Sequence, residues 1–369
     1  MPIRQIPNKM KNYIAAICLF IGFTSCQPNL KYSDSTSLEW NDFPAVYSVH
    51  GTEVKLDEEL FRPSRCYFTD QKLILKDDSE DYLLHFYEVD HFRKAGSFFT
   101  FGNGPDEYLW INNVWTDDSS LWVSDLRKST VHRYKRSDFI KNIAPSELMA
   151  EKVVRLQDPY SSLVSLPDSS FLTLAGDIRK KRISHYDKNG IFLATDGKFP
   201  TWQEELSPFE LLEGIQANLV LSPDKKSVFL FYMQTDLIEQ YDLQGKLLKR
   251  IHGPEKFFPA VKQKSHGTNV HVSSVAGKSR DAYFSPLATG DKIYVLYSGE
   301  YFNPEKMNYL KKHLFVFDKA GKPVCRYELD QPIFCFTIDE QNQILYGISD
   351  QPEFHILKFE LGIYKKSTY

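Results

Sequence analysis

An apolar run that ends in an aromatic residue, then aspartate, then glycine three positions further on, occurs at Tyr186-Asp187-x-x-Gly190, Tyr241-Asp242-x-x-Gly245 and Phe317-Asp318-x-x-Gly321. Weaker copies lie at Phe86-Tyr87, Tyr134 and Phe359. Ahead of each copy stands an Asp-containing turn leading into another apolar run: Asp70, Asp118, Asp168, Asp224, Asp291 and Asp339. Aspartate and glycine make tight turns, and the runs between them have strand length and are rich in aromatic and β-branched residues. Both markers count six. A recurring internal unit is the strongest constraint a sequence can place on architecture, because each unit is then one supersecondary module repeated.

Each unit reads as a four-stranded antiparallel meander, with no helix of any length expected between units. A single meander cannot cover both of its faces, so the units must stack, and radial stacking of four-stranded sheets gives a propeller. The expected fold is therefore all-β, a six-bladed β-propeller of four-stranded antiparallel blades. Roughly 57 residues fall to each unit, against about 40–45 in compact propeller repeats, so loops must absorb the excess. An aromatic content of 14 % fits sheets with cross-strand aromatic pairing. The last unit offers three strands, at 333–338, 343–348 and 355–361, and then the chain ends. An unassigned pair, 45–49 and 53–56, precedes the first unit. The ring is expected to be closed by these N-terminal strands, both completing the last blade and hiding its open edge.

The N-terminus reads as an address. Met10-Lys11 gives a basic start, Tyr13 to Phe23 an apolar run, and Thr24-Ser25 lead to Cys26, the layout of a cleaved secretory segment. The expected division is a signal peptide over 1–25, a polar tether over 26–44 and the propeller over 45–369. The same residues look like a bacterial lipoprotein signal, and that resemblance implies lipid attachment at Cys26, with anchoring in the cell envelope and an outer-membrane location. Of the five cysteines, Cys18 would leave with the signal, and Cys66, Cys325 and Cys335 form an odd set without metal-ligand spacing. Buried thiols are expected, with a single bridge as the other reading.

The stretches Phe101-Gly102-Asn103-Gly104-Pro105-Asp106-Glu107-Tyr108, Ile293 to Gly299 and Phe317 to Leu329 resemble the six-bladed, TolB-like propeller lipoproteins abundant in Bacteroidetes. The resemblance covers most of the chain after about residue 45 and implies fold and envelope location, not a reaction.

Several chemistries fail the context their motifs need. The Gly102-Asn103-Gly104-Pro105 loop is followed by neither a helix N-terminus nor Lys-Ser/Thr, so it is a turn and not a phosphate cradle. His266 and His271 lack a carboxylate partner, so a polar loop is expected there and no metal site. Serine-hydrolase chemistry lacks its GxSxG elbow. No cofactor is expected. Without residues 1–25, which hold Arg4, Lys9 and Lys11, 42 basic groups face 48 acidic ones, a poor surface for nucleic acid. Of the innermost strands, read as 65–69, 111–116, 162–166, 217–221, 282–287 and 333–338, none except the last, which approaches Asp339 at its end, contains or adjoins the two carboxylates that glycoside cleavage requires.

Two functional readings follow. The first is a lipid-anchored, non-enzymatic binding or scaffold module for a glycan, a peptide or an envelope protein. The second is a propeller glycosidase or lyase using Asp106 and Glu107. In a meander, connections alternate between faces, which gathers the long loops on one face and the short turns on the other. The long-loop face carries Tyr108, Trp202, Phe209, Phe257, Tyr301 and Phe302, the candidate binding residues; loop–loop packing is the competing role for the same side chains.

Overall fold

The structure is a computed structural model that describes residues 32, 34–78, 81–177, 181–202, 206–266, 269–303 and 310–362. The signal segment and Cys26 lie outside the described residues.

Six antiparallel sheets form the blades of the ring. Blade one is Pro63–Thr69, Lys72–Asp77, Tyr82–Glu88 and Arg93–Thr100, from hub to rim. Blade two is Ile111–Thr116, Ser120–Asp125, Thr130–Lys135 and Lys152–Arg155; blade three is Tyr160–Ser165, Phe171–Ala175, Ile183–Tyr186 and Phe192–Asp196. Blade four is Ala217–Leu221, Ser227–Tyr232, Leu237–Asp242 and Leu247–His252; blade five is Tyr283–Thr289, Lys292–Tyr297, Lys311–Asp318 and Pro323–Ile333. Blade six has Cys335–Asp339, Ile344–Ser349 and His355–Glu360, and takes its fourth strand from the N-terminal part of the chain.

The repeated turn works as its chemistry suggests. Asp187 Oδ1 accepts from the amides of Asn189 and Ile191, both at 2.8 Å, and Asp318 Oδ1 accepts from Ala320 and Lys322 at 2.9 and 2.8 Å. In blades one to five the second strand is the most enclosed, with Lys72–Asp77, Ser120–Asp125 and Ser227–Tyr232 buried throughout, and in blade six it is the innermost strand, Cys335–Asp339. Side chains alternate across a sheet, so each blade presents an apolar face to both neighbours. Among the described residues the core accordingly divides into six clusters, one at each seam between adjacent blades. The ring is held by seams and no blade stands alone.

The N-terminal residues form a strap around part of the rim. Strand β1 (Ser35–Ser37) pairs in parallel with the rim strand of blade four, β2 (Val46–Val49) pairs in parallel with that of blade five, and β3 (Gly51–Val54) pairs antiparallel with 355–360 to complete blade six. The expectation of N-terminal closure holds for β3. The first strand of the pair instead lies one blade earlier. With His50 alone between them, β2 and β3 cannot form a hairpin, and the chain steps across the seam from one rim to the next. Asp330 fixes the step by accepting from Gly51 N at 2.9 Å and contacting His50 Nδ1. Gly51 is required there, since a Cβ would sit 2.8 Å from the ring of Phe359. The stretch expected as a polar tether is also packed where it is described: Tyr32, Leu38 and Phe43 are buried, with Phe43 against Phe315 at 4.5 Å between ring centroids.

Three local expectations change. Short helices occur at Arg136–Ile140 and Pro208–Gly214, the latter opened by a capping box in which Ser207 and Glu210 satisfy each other's amides. Residues around His266 and His271 form a hairpin, Val261–His266 with Asn269–Ser274, where a loop was expected. The short-turn face is not trimmed throughout, because residues 136–151 of blade two extend over it.

Candidate functional site

The long-loop face is knitted together. Tyr108 is fully buried and its hydroxyl meets that of Tyr134 at 2.5 Å. Trp202 is half-buried against Tyr32 and Phe258, at 5.7 and 6.3 Å. The guanidinium of Arg280 lies between the rings of Phe257 and Tyr301, at 4.7 and 5.0 Å, donates to the Gly299 carbonyl and faces Glu255 at 3.4 Å. Phe302 is half-buried, with its amide on the Ser279 carbonyl, while Phe209 is exposed. Of the six candidate residues, only Phe209 and Tyr301 present more than half of their surface to solvent, at 55 % and 57 %. Apolar anchoring of long loops accounts for the rest.

Buried carboxylates beneath this face set the connections between blades, and the sequence reading missed them. Asp236 is fully buried and accepts from the amides of Glu255, Lys256 and Phe257 at 2.6, 2.7 and 3.0 Å. Asp125 does the same for Leu109, Trp110 and Lys128. A carboxylate taken out of water survives only where hydrogen bonds replace its hydration. Here the donors are backbone amides, so the charge fixes the path of the chain.

Asp106 and Glu107 do not form an acid pair. Glu107 Oε2 accepts from Gly104 N at 2.7 Å, and a Cβ on Gly102 would fall 2.0 Å from that oxygen. Lys128 Nζ closes the turn from the other side, on the carbonyls of Gly104 and Glu107 at 2.9 and 2.7 Å. Asp106 stays exposed. The doublet belongs to a latch between blades one and two.

The concave feature of the ring lies on its axis. A cavity of about 890 Å³ is walled by the six innermost strands and opens among the short turns, at Asp117-Asp118, Pro167 to Ser169, Pro223 to Lys225 and Thr289-Gly290. Its wall mixes Val164, Leu221, Leu287 and Ile338 with Asn113, Ser162, Asn218 and Thr337. At the inner end Arg65, from blade one, reaches past blade six to Ser285 Oγ of blade five at 3.3 Å. Among the described residues, no ion pair to Arg65 is formed. The mouth is stiff on one side: Trp115 stacks on Trp122 at 5.9 Å, and the Trp122 indole donates to Asp117 at 2.8 Å. Beside them Arg136 forks onto Asp70 and donates to the Asp117 carbonyl at 2.9 Å. Asp117 is thereby committed to its turn, which leaves the cavity without a free carboxylate pair for acid–base chemistry. Among the described residues no cluster of His, Cys, Asp or Glu could hold a metal ion.

The signal for this cavity was present in the strands that the sequence reading named. Arg65, Asn113, Ser162 and Asn218 interrupt otherwise apolar innermost strands, and a search confined to carboxylates passes over them.

Comparison with known proteins agrees with this architecture. The chain is similar in structure to a Bacteroides fragilis protein described as exported, with a TM-score of 0.50 at 11 % identity, over 88 % of this chain and 99 % of that one. It is equally similar to a member of the DUF4221 family from Bacteroides vulgatus, with a TM-score of 0.50 at 9 % identity, over 85 % of this chain and 98 % of that one. Raptor from Chaetomium thermophilum gives a TM-score of 0.50 at 11 % identity, over 86 % of this chain and 29 % of that one. At such identities these likenesses speak to the fold alone. No curated protein matches the sequence. The family model for TolB-like 6-blade propeller-like proteins matches residues 44–341, and by that match, which spans most of the chain and five complete blades, the protein belongs to the TolB-like six-bladed propeller family.

Proposed function

We propose that the protein is a non-enzymatic binding module of the cell envelope, held there by lipid on Cys26, and that its ligand enters the axial cavity with an acid group directed at Arg65. The observation that carries the reading is Arg65 itself, a guanidinium at the inner end of an 890 Å³ cavity that touches Ser285 Oγ and forms no ion pair among the described residues. Cavities of roughly 300–1,000 Å³ with a few convergent polar groups are the usual size and character of small-molecule sites. A carboxylate meeting a guanidinium in such a place gains a bidentate, charge-assisted pair. Trp115 at the mouth offers a flat apolar surface for a sugar ring or an aromatic side chain. Placement in the envelope is supported by the Met10-to-Cys26 layout.

Calorimetry and thermal shift with oligogalacturonate, and with tetrapeptides bearing free or amidated C-termini, test the cavity. The expected result is saturable binding of an acid-bearing probe that is lost in Arg65→Met and weakened in Trp115→Ala, but unchanged in Phe209→Ala. Binding that survives Arg65→Met would sink the assignment. For the anchor, Cys26→Ser should move the protein out of the membrane fraction; unchanged retention would refute lipidation there.

A further inference from the structure

The ring closes where blade six meets blade one, and the innermost strands of those two blades each contribute a cysteine to the seam. Cys66 stands on 63–69 and Cys335 opens 335–339, with their sulfurs 3.8 Å apart. Both residues are buried, at 6 % and 2 % exposure, and both lie in the wall of the axial cavity. The third thiol, Cys325, sits on the rim strand of blade five, packed with Tyr294 and Tyr327. The odd set of three thus resolves into a facing pair and a single thiol.

We propose that Cys66 and Cys335 form a disulfide in the oxidised protein, a covalent clasp at the hub between blade one and blade six, the blade that β3 completes by hydrogen bonds at its rim. A disulfide needs its sulfurs at about 2 Å and compatible Cβ directions. Side-chain rotation with a small shift between the facing strands covers the remaining distance. Formation removes two electrons and two protons from the thiols. The acceptor is the disulfide of a thiol–disulfide oxidoreductase, which leaves as its dithiol. One cysteine first forms a mixed disulfide with that enzyme; the thiolate of the other attacks the protein-side sulfur, and the enzyme's thiolate departs and takes up a proton. Burial pushes the Cys66 thiol well above its usual range, so the closed ring presents little thiolate to an oxidant. Exchange therefore belongs to the stage at which the last blade docks, and the finished bond is shielded from reductants. The clasp would join residues 269 apart in sequence, a span over which restriction of the unfolded chain is large.

The inference does not depend on the binding reading, and its test is separate. The full chain is taken through urea unfolding and refolding in a buffer of oxidised and reduced glutathione, with a parallel sample in dithiothreitol. Digestion without reduction and mass spectrometry should then find a peptide joining residue 66 to residue 335. The oxidised protein should melt about 5 °C or more above the reduced one. Cys66→Ala/Cys335→Ala should abolish both the peptide and the difference in melting, whereas Cys325→Ala should keep both. Absence of the linked peptide after oxidative refolding, linkage through Cys325 instead, or equal melting of the two samples would overturn the proposal.

Discussion

Replacing Asp236 tests whether a buried carboxylate, and not loop packing, directs the chain from blade four to blade five. Three backbone amides converge on it within 3.0 Å, and His252 Nε2 stands 3.2 Å from Oδ1. In Asp236→Ala all three donors lose their acceptor in a place water does not reach. Orphaned buried donors cost about 1–3 kcal/mol each, and because the segment can relax the sum is not additive, so about 4 kcal/mol is expected. For a domain of this size, at about 2 cal/mol/K per residue, that lowers Tm by roughly 6 °C. Asp236→Asn keeps the shape but turns an NH₂ toward the donors, and should recover less than about half of the loss. The control is Asp318→Ala, which removes two hydrogen bonds of similar length, donated by the Ala320 and Lys322 amides, from a solvent-backed turn where water replaces the carboxylate. Urea unfolding of the three variants decides the matter. If Asp318→Ala costs as much as Asp236→Ala, or Asp236→Ala costs under about 1 kcal/mol, burial is not what makes this carboxylate matter.

Three further outcomes follow. Burial holds the His132 imidazole down at about 4, below its unfolded value of about 6.5. Within that window the unfolded chain binds more protons, so stability is intact above about pH 6.5 and falls, by about 3 kcal/mol in all, as the pH drops toward 4. In His132→Phe this part of the acid slope should vanish, as read by urea titrations at several pH values; an unchanged slope would refute it. Phe43→Ala, which empties the contact with Phe315 and Phe317, should cost about 3–5 kcal/mol in equilibrium unfolding, whereas a free tether would show no change. Glu107→Gln should lower stability by only about 1 kcal/mol through the Gly104 amide and leave any cavity ligand bound as before. Loss of a hydrolytic activity in that variant would revive the catalytic reading.

What was legible in the sequence is what local chemistry writes there. The Asp turns satisfy their own amides within four residues, so the six-fold repeat shows without tertiary knowledge. The innermost strands were placed within about two residues for a related reason: each runs into an Asp-containing turn at its end. Of the strap, β2 and β3 were legible as strands and β1 was not, because it is Ser-Thr-Ser and its partners lie more than two hundred residues away at Arg250 to His252. The isolated Tyr32, Leu38 and Phe43 in a polar stretch give no periodicity. Aromatic residues on long loops have the same composition whether they face a ligand or one another, and only the packing showed Tyr108 turned fully inward. The cavity draws on six strands far apart in sequence, so Arg65 reads as one cation among 45 until the ring brings Ser285 within its reach.

The strap also determines how this ring responds to a pull. Tension entering upstream of Tyr32 reaches the rim of blade four first, where β1 lies alongside 250–252 and is loaded along its length, so that its hydrogen bonds share the force instead of opening one by one. Beyond β1 the load must dislodge Leu38 and Phe43, then the four-residue pairing of β2, then the Asp330 latch, before it bears on β3 and the closing blade. The hub strands around the cavity stand outside this sequence of events. A drag on the chain's leading end would therefore be spent on the rim, and the axial site would keep its shape while the outer strands give way.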